Sequence, residues 1–388
     1  MKIAFFTDTF LPQVNGVATA LANQARILGE RGHQVVIFTP KLDDIKREKF
    51  KAQNVTLVSL PTVPALLYPE YKLGILGLFK VIKYLKKFNP DVLHLHTPLT
   101  IGMDAVMAAK ILKKPLVGTV HIYFTESEYL RSIRFKLAAK ALSKLSIPFV
   151  NFLYAQCNTV LIPSKSLTEE LKLSGFKKPL IHFPNGVILK KPNILSASKK
   201  QEIKKKYHLK QKVILHLGRL SEEKNIDIVI KAFAQVVKTN PNVSLLIIGD
   251  GPSAKKLKQL TQNLGLEKEV VFTGFIEHEK LLSSGLISLG DLFATASTSE
   301  NQPMALLEVM VFGLPMVGVD HPGLTELISS NGLVVQSYEP DDLAKAMQKV
   351  LQDQNLAKKM SNSSFKKVKN YSIEKVVDKL LKIYSNLS

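Results

Sequence analysis

Residues 295–328 read TASTSENQPMALLEVMVFGLPMVGVDHPGLTELI, and two carboxylates in this stretch, Glu300 and Glu308, are separated by seven residues. Pro303 lies between them, a residue tolerated at the first helical position because its missing N–H would be an orphan there. The pattern predicts a loop over 299–302 and a helix over 304–312. Gly313 then suits the left-handed position just past the helix end, and Pro315 stops any continuation. Glu300 falls at the mouth of the helix, and Glu308 about one and a half turns inside it, roughly 7–8 Å along the axis. A helix N-terminus offers unpaired N–H groups and partial positive charge, a natural seat for a phosphate. One carboxylate at the mouth and one on the first turns would suit the hydroxyls of a sugar and a ribose on either side of it. The plainer alternative is a cap-region acid and a solvated helix residue. Against it, Glu308 sits inside the apolar run Leu306-Leu307-Glu308-Val309-Met310, and an acid rarely occupies such a place without a partner.

Outward from this stretch, 388 residues exceed what one core usually supports, so two domains are expected. The single cysteine, Cys157, excludes a disulfide framework and reads as a small buried hydrophobe. The N-terminus carries no secretory pattern and no apolar run is long enough to span a bilayer, so a cytoplasmic protein is expected. The formal charge is +21. Residues 1–190 hold 26 Lys and Arg against 12 Asp and Glu, which puts most of the excess in the first half. An anionic surface is a plausible partner for that half.

The first half alternates strand and helix. KIAFFT at 2–7 reads as a buried parallel strand ending at Asp8, then comes the loop LPQVNG at 11–16, a helix, and a strand over 34–39. Gly16 would let backbone approach a diphosphate, although for a lone N-G an ordinary turn is the favoured reading. Residues 61–76 show no clear period and read as a loop. FKVIKYLKKF at 79–88 is a helix with Lys80, Lys83 and Lys87 on one face. The strand 91–95 runs on into His96, and His94 and His96 share one of its faces. They could begin a metal site, but no third ligand is evident and packing is the favoured reading. His121 closes the next strand, at the carboxyl end where a doubly wound fold puts its ligands. In 131–156, Lys136, Lys140 and Lys144 recur every fourth residue beside apolar positions. This is either a solvated surface helix or a face that docks on an anionic membrane, worth about 1 kcal/mol per basic residue.

In the second half, the strand 213–217 delivers Gly218-Arg219-Leu220-Ser221-Glu222-Glu223-Lys224-Asn225. Arg219 and Lys224 follow a strand and precede a helix, so they are either two surface cations in a turn or a fixed pair able to neutralise a leaving diphosphate.

Taken together, ENQPMALLE with Gly323, Glu326 and Gly332, and GRLSEEKN at 218–225, resemble the E-x7-E and G-R-L…K-N motifs of glycosyltransferase family 4, the group 1 glycosyl transferases. The resemblance runs nearly end to end. It implies an α/β GT-B fold: two Rossmann-like doubly wound domains facing each other across a cleft. The implied divisions are 1–190, the acceptor-binding domain, and 191–370, the nucleotide-sugar domain, with a C-terminal helix over 371–388 crossing back to the first. It implies that Glu300 faces the donor sugar, Glu308 holds the ribose, Arg219 and Lys224 take the diphosphate, and backbone at Ile276 meets the base. It further implies that His121 contacts the donor sugar and that Gly16 lies near the diphosphate. The family often has glycine at position 303, so any contact from that amide is here either lost or passed to Met304. The implied reaction is transfer from a nucleotide sugar with retention, the departing phosphate taking the acceptor's proton. No D-x-D triplet occurs, so no metal or other cofactor is expected.

TDTFLPQVNGVATAL, LHLHTPLTIG and GTVHIYFTE resemble the branch acting on membrane lipids, which implies glucose from UDP onto diacylglycerol. A GDP-mannose-dependent mannosyltransferase acting on a phosphatidylinositol-type lipid is the near alternative. Two other classes fit less well. A nucleic-acid binder would explain the charge, but no such module and no tryptophan is present. A nucleotide-sugar epimerase would have no use for a basic, membrane-facing stripe. Oligomeric state is not legible.

Overall fold

The computed structural model describes residues 1–11, 15–41, 50–64, 72–74, 77–121, 148–189 and 195–387. The chain divides into two units: Met1–Ile188 with Ile373–Ser388, and Leu189–Ser372. The last helix, Ile373–Ser385, therefore belongs to the first unit although it follows the second in sequence.

The first unit is built on β1 (Lys2–Phe6), β2 (Gln34–Pro40), β3 (Val55–Leu60), β6 (Val92–Leu95), β7 (Leu116–Thr119), β8 (Thr159–Ile162) and β9 (Leu180–His182). Their spatial order is β3-β2-β1-β6-β7-β8-β9, every neighbouring pair parallel. Both faces are covered, which is why these strands read as unbroken apolar runs. In β1 the alternation splits the core: Ile3 and Phe5 pack with Leu21, Leu28 and Tyr384, while Ala4 and Phe6 pack with Leu85, Ile101 and Tyr154. The final helix lies in the first of these layers through Ile373, Val376, Val377, Leu380 and Tyr384. Its start is pinned where the Ile373 N–H donates to the Val187 carbonyl at 2.9 Å. There Gly186 has no room for a side chain, because a Cβ would lie 2.9 Å from Ile373 Cα.

The second unit has β10 (Lys212–Leu217), β11 (Val243–Ile248), β12 (Val270–Gly274), β13 (Leu292–Thr295), β14 (Met316–Val319) and β15 (Gly332–Val335). The order is β12-β11-β10-β13-β14-β15, again all parallel. In each sheet the winding direction reverses once, between β1 and β6 and between β10 and β13. Ligands of open parallel sheets bind at the carboxyl ends of the strands beside such a reversal.

Several expectations change in detail. The stretch 61–76 is not wholly loop: β4 (Thr62–Pro64) and β5 (Lys72–Gly74) pair as a short antiparallel ribbon. The lysine-bearing helix begins two residues earlier than its pattern, as Gly77–Phe88. The helix of the carboxylate stretch runs Met304–Val311 and Pro303 is its N-cap, with φ −68° and ψ 124°, not its first helical residue. Proline's fixed φ fits either position, and the extended ψ moves the start to Met304. Gly313 does take a left-handed conformation, φ +69°. Lys136, Lys140 and Lys144 lie outside the described residues.

Candidate functional site

The reversal in the second sheet is a clamp between two loops. After β10 the chain turns at Gly218 beneath Gly249 of the β11 loop, where a Cβ on Gly249 would sit 1.9 Å from the Gly218 carbonyl oxygen. The Leu220 N–H donates to the Asp250 carbonyl at 3.0 Å, which fixes the backbone on either side of Arg219. A single turn of tight helix, Glu222–Lys224, ends at Asn225, whose φ of +46° is a left-handed conformation that asparagine tolerates. Asn225 Nδ2 then donates to the Ala296 carbonyl (3.1 Å) and to Thr298 Oγ1 (3.2 Å), and the Thr298 N–H donates to the Glu223 carbonyl (3.0 Å).

These bonds lash the two loops together and bring Lys224 to Glu300, Nζ to Oε1 at 2.8 Å. Lys224 Nζ also donates to the Ser299 carbonyl at 2.9 Å. The two side chains keep 21% and 15% of their surface exposed, so the pair is only partly desolvated. Deeper in, His216 is buried with Nδ1 3.0 Å from the Ala294 carbonyl. Burial pushes its imidazole down to about 4, so it is neutral at pH 7.

Glu300 is held from its other side as well. A Cβ on Gly323 would sit 1.9 Å from the Glu300 carbonyl oxygen, so only glycine lets the short helix Pro322–Thr325 approach. Along the helix Met304–Val311, Glu308 is 6% exposed and has the partner its surroundings demanded: His278 Nε2 lies 2.7 Å from its Oε1. His278 opens the helix after β12, so the segment carrying Ile276 is drawn to Glu308. Met304 supplies the first N–H after the proline cap and is itself buried.

In the first unit, Gly16 opens the helix Gly16–Glu30 and is exposed. Asn15 caps that helix by accepting from the Ala18 N–H, and it donates to Thr9 Oγ1. At the sheet reversal, Asp8 accepts from Thr97 Oγ1 (2.8 Å), Thr100 Oγ1 (3.1 Å) and the Ile101 N–H (2.9 Å), capping the helix Thr100–Leu112. Burial raises its carboxyl to about 6 even against these three donors. His94 and His96 do share a face, stacked with ring centres 4.1 Å apart. His121 extends the column, 5.4 Å from His96 and nearly parallel to it. All three imidazoles are buried and pushed down by burial, His121 to about 4. Among the described residues no three His, Cys, Asp or Glu side chains are grouped to hold a metal ion.

The arrangement joins Lys224 with Glu300, and the Ile276 segment with Glu308. Arg219 is half-buried on the β10 loop. Lys80, Lys83 and Lys87 are exposed, although Lys80 Nζ also donates to the Ser59 carbonyl at 2.7 Å. Sequence reasoning missed His278, Asp8, Asn225 and Tyr384. A partner for Glu308 was foreseeable and its identity was not. The left-handed demand at Asn225 was readable from asparagine just before a helix.

The chain matches the family described as Glycosyl transferases group 1 over residues 198–367, and Glycosyltransferase Family 4 over 14–191. It is 31% identical over 356 residues to the alpha-monoglucosyldiacylglycerol synthase of Streptococcus pneumoniae, covering 90% of this chain and 78% of that one. It is 26% identical to a GDP-mannose-dependent alpha-mannosyltransferase of Corynebacterium glutamicum, covering 100% and 89%. Among solved structures, HepE of Anabaena in complex with UDP superposes with a TM-score of 0.79 at 20% identity, each chain covered fully. The fold is therefore GT-B.

Proposed function

This chain belongs to the group 1 glycosyl transferases, with a family 4 N-terminal half, and we propose that it moves glucose from UDP-glucose to diacylglycerol with retained anomeric configuration. The observation that carries this reading is the Lys224–Glu300 pair beside the helix Met304–Val311. A cation and a carboxylate fixed 2.8 Å apart are suited to a diphosphate and the hydroxyls of the sugar attached to it. As the bond from the anomeric carbon to the diphosphate oxygen breaks, Arg219 and Lys224 take up the charge that develops. The acceptor hydroxyl oxygen bonds to that carbon on the same face, and its proton passes to the departing diphosphate. Glu308, oriented by His278, receives the ribose hydroxyls; backbone at Ile276 receives the base. The Met304 N–H stands where proline has removed the preceding donor. In the first unit, His121 meets the sugar and Gly16 the diphosphate. The charge is handled by protein cations, and no metal or other cofactor takes part in the proposed step.

The choice of acceptor rests on the glucosyldiacylglycerol synthase relative and on the surface of the first unit. The helices Gly77–Phe88 and Thr100–Leu112 pack together. Beside the exposed lysines of the first, Phe79 is 81% exposed, and Met103, Met107 and Ile111 on the second stand at four-residue spacing, all exposed. Apolar side chains rimmed by cations suit the headgroup layer of an anionic bilayer. Among the described residues no helix is long and apolar enough to cross one. The protein is thus proposed to work peripherally on the inner face of the cell membrane. The mannosyltransferase relative, matched along the whole chain, supports GDP-mannose as the donor of the second reading, in which the acceptor is a phosphatidylinositol-type or other glycolipid.

Incubating the enzyme with labelled UDP-glucose, GDP-mannose and other nucleotide sugars, over vesicles containing diacylglycerol or phosphatidylinositol, tests both. An α-glucosyl lipid formed from UDP-glucose is expected. Mannosyl lipid from GDP-mannose alone selects the second reading, and a β-linked product would overturn retention.

A further inference from the structure

The three stacked histidines of the first unit form an asymmetric hydrogen-bond column. His94 is satisfied at both ring nitrogens, Nδ1 at 2.5 Å from Tyr384 Oη on the final helix and Nε2 at 2.7 Å from Thr119 Oγ1. Phe5 meets the rings of His94 and His96 edge-on, at 5.4 Å and 4.7 Å between centres. His96 Nδ1 lies 3.1 Å from His121 Nε2, and its own Nε2 is buried with no partner.

A neutral imidazole has one N–H and one lone pair. Burial holds both His96 and His121 in that neutral form at pH 7. One proton therefore lies between His96 Nδ1 and His121 Nε2, and it belongs to one ring or the other. If His121 carried it, the His96 proton would sit on Nε2 as a buried N–H without an acceptor. Orphaned buried N–H groups are the rarer defect, and an unfilled lone pair is more often tolerated. The hydrogen-bond network thus puts the His96 proton on Nδ1.

We infer that His96 is a positioning residue: it donates from Nδ1 to His121 Nε2 and so fixes His121 in the tautomer protonated on Nδ1. His96 is in turn held by the His94 ring stacked on it, which Tyr384 and Thr119 lock in place. The final helix, which joins this unit only after the chain has built the other, thereby supports the histidine column through one hydroxyl. The consequence for chemistry rests on the role proposed for His121. With Nε2 occupied as an acceptor and Nδ1 protonated, His121 has no lone pair left to receive a proton. It is unfitted to remove a proton from the acceptor hydroxyl.

The test is nitrogen NMR of the intact enzyme with 15N-histidine, in which each tautomer has its own pair of nitrogen shifts. The signals of His121 are identified by their loss in His121→Gln. The wild type is expected to show His121 protonated on Nδ1. His96→Leu should release it to the Nε2-protonated form or a mixture. His96→Asn, whose amide N–H can stand in for Nδ1–H, should keep the wild-type pattern. Turnover of nucleotide sugar should fall by up to about a hundredfold in His96→Leu at unchanged KM, and recover largely in His96→Asn. An Nε2-protonated His121 in the wild type overturns the inference without any variant needing to fold. So does an unchanged His121 tautomer in His96→Leu. Wild-type turnover in His121→Gln, with the expected nitrogen shifts in the parent, would instead remove the catalytic role while leaving the tautomer standing.

Discussion

At the reversal of the first sheet the strand ends carry Asp8, His96 and His121, all buried; at that of the second the loops after the strands carry Arg219, Lys224 and Glu300, all partly exposed. The two sheets share a plan, and each fills the crevice at its own reversal in a different electrostatic style. In the first unit polar groups are dry: the imidazoles are pushed down and neutral at pH 7, and burial lifts the Asp8 carboxyl to about 6 against its three donors. In the second, opposite charges pair at 2.8 Å and retain contact with water. Isolated charge in a dry interior costs several kcal/mol, whereas a partly solvated pair keeps its charges available. An anionic diphosphate can be met by the second style and not by the first. Neutral donors and acceptors suit hydroxyl groups.

The sharpest way to break this contrast is to discharge the second site. Arg219→Ala and Lys224→Ala should each lower turnover by two or more orders of magnitude, about 3 kcal/mol, with the fold intact. Because Lys224 and Glu300 are in contact, the double variant Lys224→Ala/Glu300→Gln should lose less than the sum of its parts. Near-wild-type rates in both single variants would leave these cations as ordinary surface charges.

A second test uses charge on the exposed face of the first unit. Reversing Lys80, Lys83 and Lys87 to Glu should remove binding to vesicles rich in anionic lipid, at about 1 kcal/mol for each cation lost. Binding of the wild type should itself weaken as salt rises, since exposed charges are screened over about 8–10 Å. Nucleotide-sugar hydrolysis should persist in the variant. The same reversal at Lys136, Lys140 and Lys144 compares the second basic row. Unchanged sedimentation with vesicles would make the lysines a solvated face, and equal loss of hydrolysis would assign them to the fold.

Acidification should discriminate the units. A histidine whose folded pKa is depressed stays neutral in the native state while the unfolded chain takes up a proton below pH 6.5. Its stability contribution is therefore present above that pH and lost as pH falls toward the folded value, near 4 for His121 and His216. Asp8 runs the other way: with its folded pKa near 6, its burial penalty is relieved as pH falls from 6 to 3.8. Asp104, also raised to about 6 by burial, adds to that offset. The three depressed histidines of the first unit outweigh the two acids, and His216 is the one fully buried histidine among the described residues of the second unit. Cys157, the sole cysteine, is fully buried in the first unit, so an acid-tolerant thiol reagent reports its opening. Its urea midpoint should drop between pH 6.5 and 4.5. A flat midpoint would mean that the histidine column titrates freely while folded.

Much of this contrast was legible in the sequence, for reasons tied to range. Parallel strands buried on both faces leave apolar runs that need no context. Gly313 and Pro315 mark a helix end by local backbone demand, and His94 and His96 share a face because strand period is two. The dry cluster of the first unit was not legible, because its bonds join distant positions: Asp8 with Thr97 and Thr100, and His94 with Tyr384, 290 residues on. The ribbon β4–β5 escaped because three-residue strands carry too few positions for a period. Pro303 fitted two adjacent roles equally until the backbone chose one.

Glu308 is where the two styles meet within one unit: a carboxylate as buried as the polar groups of the first unit, yet paired as those of the second are. Its partner His278 keeps about a third of its side chain exposed, so the bond between them is a buried acceptor served by a half-solvated donor. If that bond serves to aim Glu308 at ribose, removing it should weaken nucleotide binding without touching the bond-breaking step. His278→Ala should raise the dissociation constant for UDP by about tenfold, the value of one hydrogen bond of roughly 1 kcal/mol or slightly more. Turnover at saturating donor should stay within about twofold, because the lost interaction acts equally on ground and transition states. His278→Gln, which can still donate to the carboxylate, should recover most of the affinity. Titration calorimetry with UDP separates the outcomes: an unchanged constant in His278→Ala would show Glu308 held by the helix alone, and a loss not recovered by glutamine would move the role of His278 from aiming the carboxylate to contacting the nucleotide directly.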